Sequence, residues 1–420
     1  MFLMGIPLRQ LPLVQNWSCH SCSDCCRIEA VITDEEKQRI EALDLVNDPE
    51  VGPKPWFAPK DRGSRKWKLR HRPDGGCVFL TAGNRCRIQE RFGADAKPFV
   101  CRLFPFALIP AGNHWRVGMR FSCPSAAANS GRPLAEAEKD LVQLTRLLEQ
   151  HVGRSADSAP APLLRAGQQL SWPDVCRVVQ VLVEMVQDRG DRLERRLRKC
   201  LAVADVCGQT QFDNLQGNRL SKYLQAVRNA VETEVPREAR DLPPPDRVLG
   251  GVLFRALLAI FATRNRDVRG AAGARRRLGR VVAGWRFARG HGRVPRVNEF
   301  LPDIRFEDVE AHTGTPLEID MTLERYYLVK LNSLQFCGPP NFDQPLLAGL
   351  QSLVLTLPMI LWLRRAFSDV TPATAVQQAI QLVDDHFGGD PMLGFPHIKY
   401  LVGTLARRGE LEKLVAWYSR

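Results

Sequence analysis

Four cysteines fall within eight residues near the start of the sequence, in the run Cys19-His20-Ser21-Cys22-Ser23-Asp24-Cys25-Cys26. Two-residue gaps let successive thiolates turn inward onto one cation, as in zinc knuckles and iron–sulfur loops. Cys77, Cys86, Cys101 and Cys123 follow at turn-like positions. An isolated cysteine is commonly a small buried hydrophobe, but that reading does not account for this crowding. Metal binding by Cys19, Cys22, Cys25, Cys26, Cys77, Cys86, Cys101 and Cys123 is therefore the expectation. Thiolates suit tetrahedral zinc and iron–sulfur clusters alike. Two details lean toward an iron–sulfur cluster, with zinc as the alternative. Cys19-x2-Cys22-x2-Cys25 repeats the first three positions of a bacterial ferredoxin loop, and Cys123-Pro124 supplies a Cys-Pro pair like its fourth. Eight ligands are enough for two sites. His20, His71 and His114 are also potential ligands, although exposed loop histidines are the plainer reading. Cys176, Cys200, Cys207 and Cys337 lack ligand spacing and are assigned to the core.

The elements that must position these thiols can be read in part. Thr33 and Glu36 form a capping box that opens a short helix through Leu43 or Leu45. The Pro- and Lys/Arg-rich stretch Pro53–Arg72 has no clear period and reads as a surface loop. Cys77–Leu80 and Cys86–Ile88 flank a tight turn at Gly83 and Asn84, so a short hairpin brings Cys77 to Cys86. A second hairpin runs from Phe106–Ile109 to Trp115–Phe121, where Trp115, Val117, Met119 and Phe121 alternate, and it delivers Cys123 at its end.

After residue 130 the pattern turns helical. Leu141, Leu144 and Leu148 share one face, and so do Leu193, Leu197, Leu201 and Ala204. Ser171 before Trp172-Pro173-Asp174 caps the helix bearing Cys176, Val179, Val183 and Val186. Further helices fit Leu220–Glu234, Leu323–Phe336, Ala373–His386 and Ile398–Trp417, with loops at Ser155–Pro162 and Pro236–Pro245. The expected fold is α+β but predominantly α: a cysteine-rich metal-binding domain over residues 1–130 with short hairpins, then a helical domain over 131–420.

The cysteine order, with Lys97-Pro98-Phe99-Val100-Cys101-Arg102-Leu103-Phe104-Pro105-Phe106, resembles the zinc- or iron-chelating cysteine-cluster family named for its CxxCxxCC motif. The resemblance spans Trp17 to Pro124 and departs at Lys97, where that family's arginine usually stands. Chain length, Phe121-Ser122-Cys123-Pro124 and the segment from Tyr326-Tyr327-Leu328-Val329-Lys330 to Cys337 are similar to the bacterial flagellin lysine N-methylases. That likeness implies an iron–sulfur cluster, S-adenosylmethionine as donor and a protein substrate such as flagellin. The residues themselves show no such enzyme. Gly290-His291-Gly292 is followed by Arg293-Val294-Pro295 and lacks the third glycine of a dinucleotide-type loop, and strand–helix alternation is absent. The other reading is a non-catalytic metal or redox-sensing module on a helical interaction domain.

Composition narrows the rest. At 420 residues, 45% hydrophobic and 25% charged, the chain is long enough for more than one core and is globular in kind. Met1–Val14 lacks the pattern of a targeting signal, and cysteines without such a signal point to thiols in a cytoplasmic setting. Val248–Ala262 and Leu346–Leu363 are interrupted by polar residues and read as core helices rather than inserted spans. A net charge of +13 favours an anionic partner. The arginines from Arg264 to Arg296, among them Arg266, Arg269, Arg275, Arg276, Arg277, Arg280, Arg286, Arg289 and Arg293, could meet nucleic acid. A solvated face with Leu278, Val281, Val282 and Trp285 turned to the core is favoured over it. Glu318, Asp320, Glu324, Tyr326 and Tyr327 crowd one helix start, where carboxylates usually complement the dipole; no catalytic base is assigned.

Overall fold

The computed structural model describes residues 8, 15–61, 63–152, 156–263, 272–311 and 318–420. Most of Met1–Val14, Ser155, and Arg264, Arg266 and Arg269 of the basic stretch lie outside the described residues, as do the side chains of Arg275, Arg276, Arg277 and Leu278. In chain order the first elements are β1 (Asn16–Trp17), β2 (Val31–Thr33), α1 (Asp34–Glu41), β3 (Phe57–Pro59), β4 (Lys66–Leu69), α2 (Arg87–Phe92), α3 (Phe99–Leu103), β5 (Phe106–Pro110), β6 (Trp115–Met119), α4 (Pro124–Ala127) and β7 (Arg132–Pro133). Then follow α5 (Glu138–Val152), β8 (Leu163–Arg165), β9 (Gln168–Gln169), α6 (Trp172–Gln187), α7 (Leu193–Gln209), α8 (Gly217–Glu234), α9 (Leu253–Ala262) and α10 (Ala272–Arg289). The chain ends in α11 (Phe306–Glu310), α12 (Glu318–Asn332), α13 (Leu346–Ala366), α14 (Pro372–His386), α15 (Pro396–Arg407) and α16 (Glu410–Ser419). The protein is α+β and predominantly helical, with its short strands concentrated in the N-terminal part.

Two hydrophobic cores are present. The smaller gathers Ile32, Ile40, Leu45, Trp56, Phe57, Leu69, Val78, Phe79, Leu80 and Ile88 around an antiparallel sheet of order β2-β4-β3. The capping box at Thr33 and Glu36 is formed, and α1 ends at Glu41 rather than at Leu43 or Leu45. Pro53–Arg72 is not a surface loop: it carries β3 and β4, which bury Phe57 and Leu69. Cys77–Ile88 is not a two-stranded hairpin. Single bridges pair His71 with Cys77 and Leu80 with Cys86, and Cys86 then leads directly into α2.

The larger core runs from Phe106 to Tyr418. The hairpin β5–β6 forms as expected, Phe106 opposite Met119, but both faces of β6 are buried. Arg116, on the face that alternation assigned to solvent, donates to the Asn332 carbonyl at 2.9 Å and to Cys176 Sγ at 3.1 Å. At Gly118 a Cβ would lie 2.4 Å from Gln335 Oε1, so the end of α12 presses on the strand. The hairpin thus packs with the helices, and α3 lies between the two cores, with Cys101 against the smaller and Phe99 and Leu103 against the larger. α13 is apolar all round, as a helix at the centre of a core must be. It contacts α7, α9, α11, α14, α15 and α16. It is long and apolar enough to cross a membrane, yet 83% of its most apolar window is buried inside the protein.

Two helical expectations change. Ile398–Trp417 is split into α15 and α16 at Gly409, whose φ of 71° favours glycine. In α10, Val281, Val282 and Trp285 are exposed, and Ala283 and Phe287, four residues apart, face the core instead. The Arg289 guanidinium lies 4.7 Å over the Trp285 ring.

On α7 the basic run Arg195, Arg196, Arg198 and Lys199 is buried and matched by acids. Arg196 meets Glu324 at 2.7 Å, Arg198 meets Glu194 at 2.7 Å, and Lys199 lies 2.7 Å from Glu232. Lys199 holds the Glu232 carboxyl below its ordinary range. A depressed carboxyl stabilises the fold above its unfolded pKa, and that contribution is lost as pH falls through the folded value. Glu232→Gln is expected to cost less than about 1 kcal/mol at pH 7, since the carboxylate is half exposed. The gap to wild type should close as pH drops below about 4.3; paired urea melts at neutral and acid pH check this.

Candidate metal centre

The cysteine loop is anchored on the segment that follows Cys123. β1 pairs with β7, Ser18 N–H donates to the Ser130 carbonyl at 3.0 Å, and Asn16 N–H to Asn129 Oδ1 at 2.7 Å. Gly131, at φ 113°, allows that approach, because a Cβ there would lie 2.4 Å from the Ser18 nitrogen. Ser21 and Ser23 adopt positive φ, turning the chain into a 3-10 turn over Asp24–Arg27 that carries Cys25 and Cys26. Cys77 N–H donates to the Cys26 carbonyl at 2.8 Å, and Arg27 Nη1 to the Asp74 carbonyl at 2.9 Å, so the turn before Cys77 is tied to the loop. Cys86 closes the turn Thr81–Arg85. Cys101 sits on α3, whose first residue, Phe99, donates its N–H to Glu36 Oε1 at 2.6 Å. Cys123 is the N-cap of α4.

Cys26, Cys77, Cys86 and Cys101 belong to the smaller core, and Cys123 to the larger. The thiols lie near enough to disfavour one another's charge. Burial pushes Cys77 up to about 12, with Cys86 and Cys25 adding to the rise. Cys101 is raised by burial and then by Cys77, Cys86 and Cys25. Cys25 is raised by its hydrogen bond with Cys26, by burial and by the Cys26 charge. Cys22 is raised by burial, with smaller contributions from Asp24, Cys123 and Cys25; Cys123 is raised by burial and slightly by Cys25, against the Trp17 indole. Lys97, standing where the cysteine-cluster pattern has arginine, opposes the rise at both Cys25 and Cys101.

Crowded thiols with raised pKa values are a set that a bound cation would reverse, since a metal deprotonates its thiol ligands. Soft sulfur donors fit zinc or iron. Among the described residues, however, no three His, Cys, Asp or Glu side chains are already arranged to hold a metal ion. Coordination would therefore require the thiols to move closer together.

Of the histidines, His20 is exposed and His71 is half-buried in its bridge to Cys77. His114 is buried rather than exposed, 3.0 Å from Asn113 Oδ1 at the end of the β5–β6 hairpin away from Cys101 and Cys123. Cys200, Cys207 and Cys337 are buried core residues, and Cys176 is half-buried against Arg116. Glu324 is paired with Arg189 and Arg196, and the Tyr327 hydroxyl with Thr356. One feature had no sequence signal: a cleft of about 930 Å³ beside the cysteine loop, running from Asp24 and Arg27 past Phe104 to Arg120 and the Gly388-Gly389 turn after α14.

Fold and thiols together define a cysteine-cluster module joined to a helical body. Residues 18–124 of the 420 match the CxxCxxCC family, described as a "Putative zinc- or iron-chelating domain". No curated protein and no solved structure matches the chain, so the likeness to lysine methylases rests on sequence alone.

Cys25→Ser and Cys101→Ser are each expected to lose most bound metal, measured by elemental analysis of purified protein. Cys207→Ala should keep the wild-type metal content and cost about 1 kcal/mol of stability from its small cavity.

Proposed function

We propose that this protein holds a metal through thiolates drawn from Cys19, Cys22, Cys25, Cys26, Cys77, Cys86, Cys101 and Cys123, as an iron–sulfur cluster or, alternatively, as zinc. The observation that carries the reading is convergence. Cysteines from the 19–26 loop, two separate turns and α3 pack against one small core, Cys77 N–H donating to the Cys26 carbonyl, and Cys123 stands at the start of α4 on the neighbouring one. Small buried hydrophobes have no reason to collect their polar sulfurs in one place. The bound metal would supply either electron transfer or a rigid crosslink. Anaerobic purification followed by metal and acid-labile sulfide analysis tests it. Brown protein with iron and sulfide supports the cluster, colourless protein with zinc supports the structural site, and protein with neither metal ends the proposal.

A second reading, methyl transfer from S-adenosylmethionine to lysines of a protein partner such as flagellin, is favoured by the cleft beside the cysteine loop. Its volume of about 930 Å³ is ample for a cofactor-sized ligand. The apolar wall at Phe104, Phe106 and Leu108 and the charged rim at Arg27 and Arg120 suit a ligand with an aromatic part and a polar one. Calorimetric titration of metal-loaded protein with S-adenosylmethionine is expected to show saturable binding that weakens at least tenfold in Phe104→Ala. No heat of binding to the loaded wild type would remove this reading and leave the metal centre standing.

A further inference from the structure

Lys330 on α12 and Asp384 on α14 are both fully buried, with Lys330 Nζ 2.5 Å from Asp384 Oδ1. Such a pair is retained against its desolvation cost only where its hydrogen bonds are well made. Among the described residues Asp384 Oδ1 is paired only with the ammonium, and the hydrogen bonds of the pair are otherwise made to one strip of backbone. Asp384 Oδ2 accepts the N–H groups of Phe121 at 2.5 Å and Ser122 at 3.3 Å, while Lys330 Nζ donates to the Met119 carbonyl at 3.2 Å. A third buried charge, Arg325 of α12, donates to the carbonyls of Ala126 at 2.9 Å and Ala127 at 2.6 Å, beyond the cysteine. The strip so gripped contains Cys123, whose own N–H turns back to the Arg120 carbonyl at 3.3 Å. Neither Lys330 nor Asp384 is itself a thiol neighbour.

We infer that Lys330 and Asp384 are positioning residues for the metal centre: as a pair they set the backbone of residues 119–122, and with it the placing of Cys123 beside the cysteine loop, whose base in β1 packs on α4 and β7. The inference rests on the metal-binding reading above and adds to it the means by which the helical body supplies a ligand. Residues that orient a ligand typically change metal affinity 10–100-fold when replaced.

The test uses full-length, metal-free protein titrated with cobalt(II) under reducing, anaerobic conditions, reading affinity and the sulfur-to-cobalt charge-transfer absorption. Removing one charge alone leaves the other buried and unpaired and so risks the fold itself. The first variant is therefore the neutral pair Lys330→Met/Asp384→Asn. The second, Asp384→Glu, keeps the charges paired but displaces the carboxylate by one methylene. Both are expected to weaken cobalt binding about 10–100-fold and to lower the charge-transfer intensity per cobalt to that of Cys123→Ala. In the Cys123→Ala background neither should weaken binding further, because the group they position is already gone. Wild-type affinity and intensity in either folded variant would overturn the inference, as would full losses persisting in the Cys123→Ala background. Failure of the wild-type protein to bind cobalt would instead overturn the metal-binding reading itself.

Discussion

Buried backbone amides must find acceptors, and those of Phe121 and Ser122 find theirs in a carboxylate 263 and 262 positions further along the chain. That contact holds the chain between β6 and α4 to α14 more specifically than apolar packing does. Hydrophobic contact is non-directional and tolerates sliding. A carboxylate shared between two amides and an ammonium has directional requirements, and being buried it is costly to disturb. From residue 121 the chain enters α4 and then pairs β7 with β1, which fixes the first residues of the cysteine loop. The loop is therefore held at its base by the segment that Asp384 and Lys330 hold.

The smaller core explains why a metal would matter structurally. Its sheet has strands of three, four and three residues, and its helices α1, α2 and α3 span eight, six and five. Elements this short bury little apolar surface, and small cores commonly need crosslinks to fold firmly. The larger body has no such need, with α13 packed on six other helices. It is consistent that Cys200, Cys207 and Cys337, which lie in the larger core, behave as small apolar residues, whereas Cys26, Cys77, Cys86 and Cys101 cluster on the smaller one.

Much of this was legible in the sequence because it was local. The capping box at Thr33 and Glu36, the Ser171 cap of α6, the hairpin from Phe106 to Phe121 and the spacing of the cysteines all involve residues close to their partners in the chain. Pro53–Arg72 was misread because lysines flank Trp67 and prolines surround Trp56, hiding the period-two pattern of β3 and β4. The stripe of α10 was misplaced because the residues that decide it, Ala283 and Phe287, are outweighed in hydropathy by the exposed Val281, Val282 and Trp285. Lys330 and Asp384 could not be found at all: each is an ordinary charge on an amphipathic helix until the fold brings α12, α14 and the end of β6 together.

The division of the thiols between two cores has a consequence for how they would share metal. Cys26, Cys77, Cys86 and Cys101 pack against the smaller core, where Cys77 N–H donates to the Cys26 carbonyl and α3, which carries Cys101, also packs Phe99 on the helical body. Cys19, Cys22 and Cys25 are exposed on the loop, and Cys123 comes to them from the larger core. A site built from the first group takes its ligands from the smaller core alone. A site built from the second exists only when the two bodies are docked, and its geometry then reports on that docking.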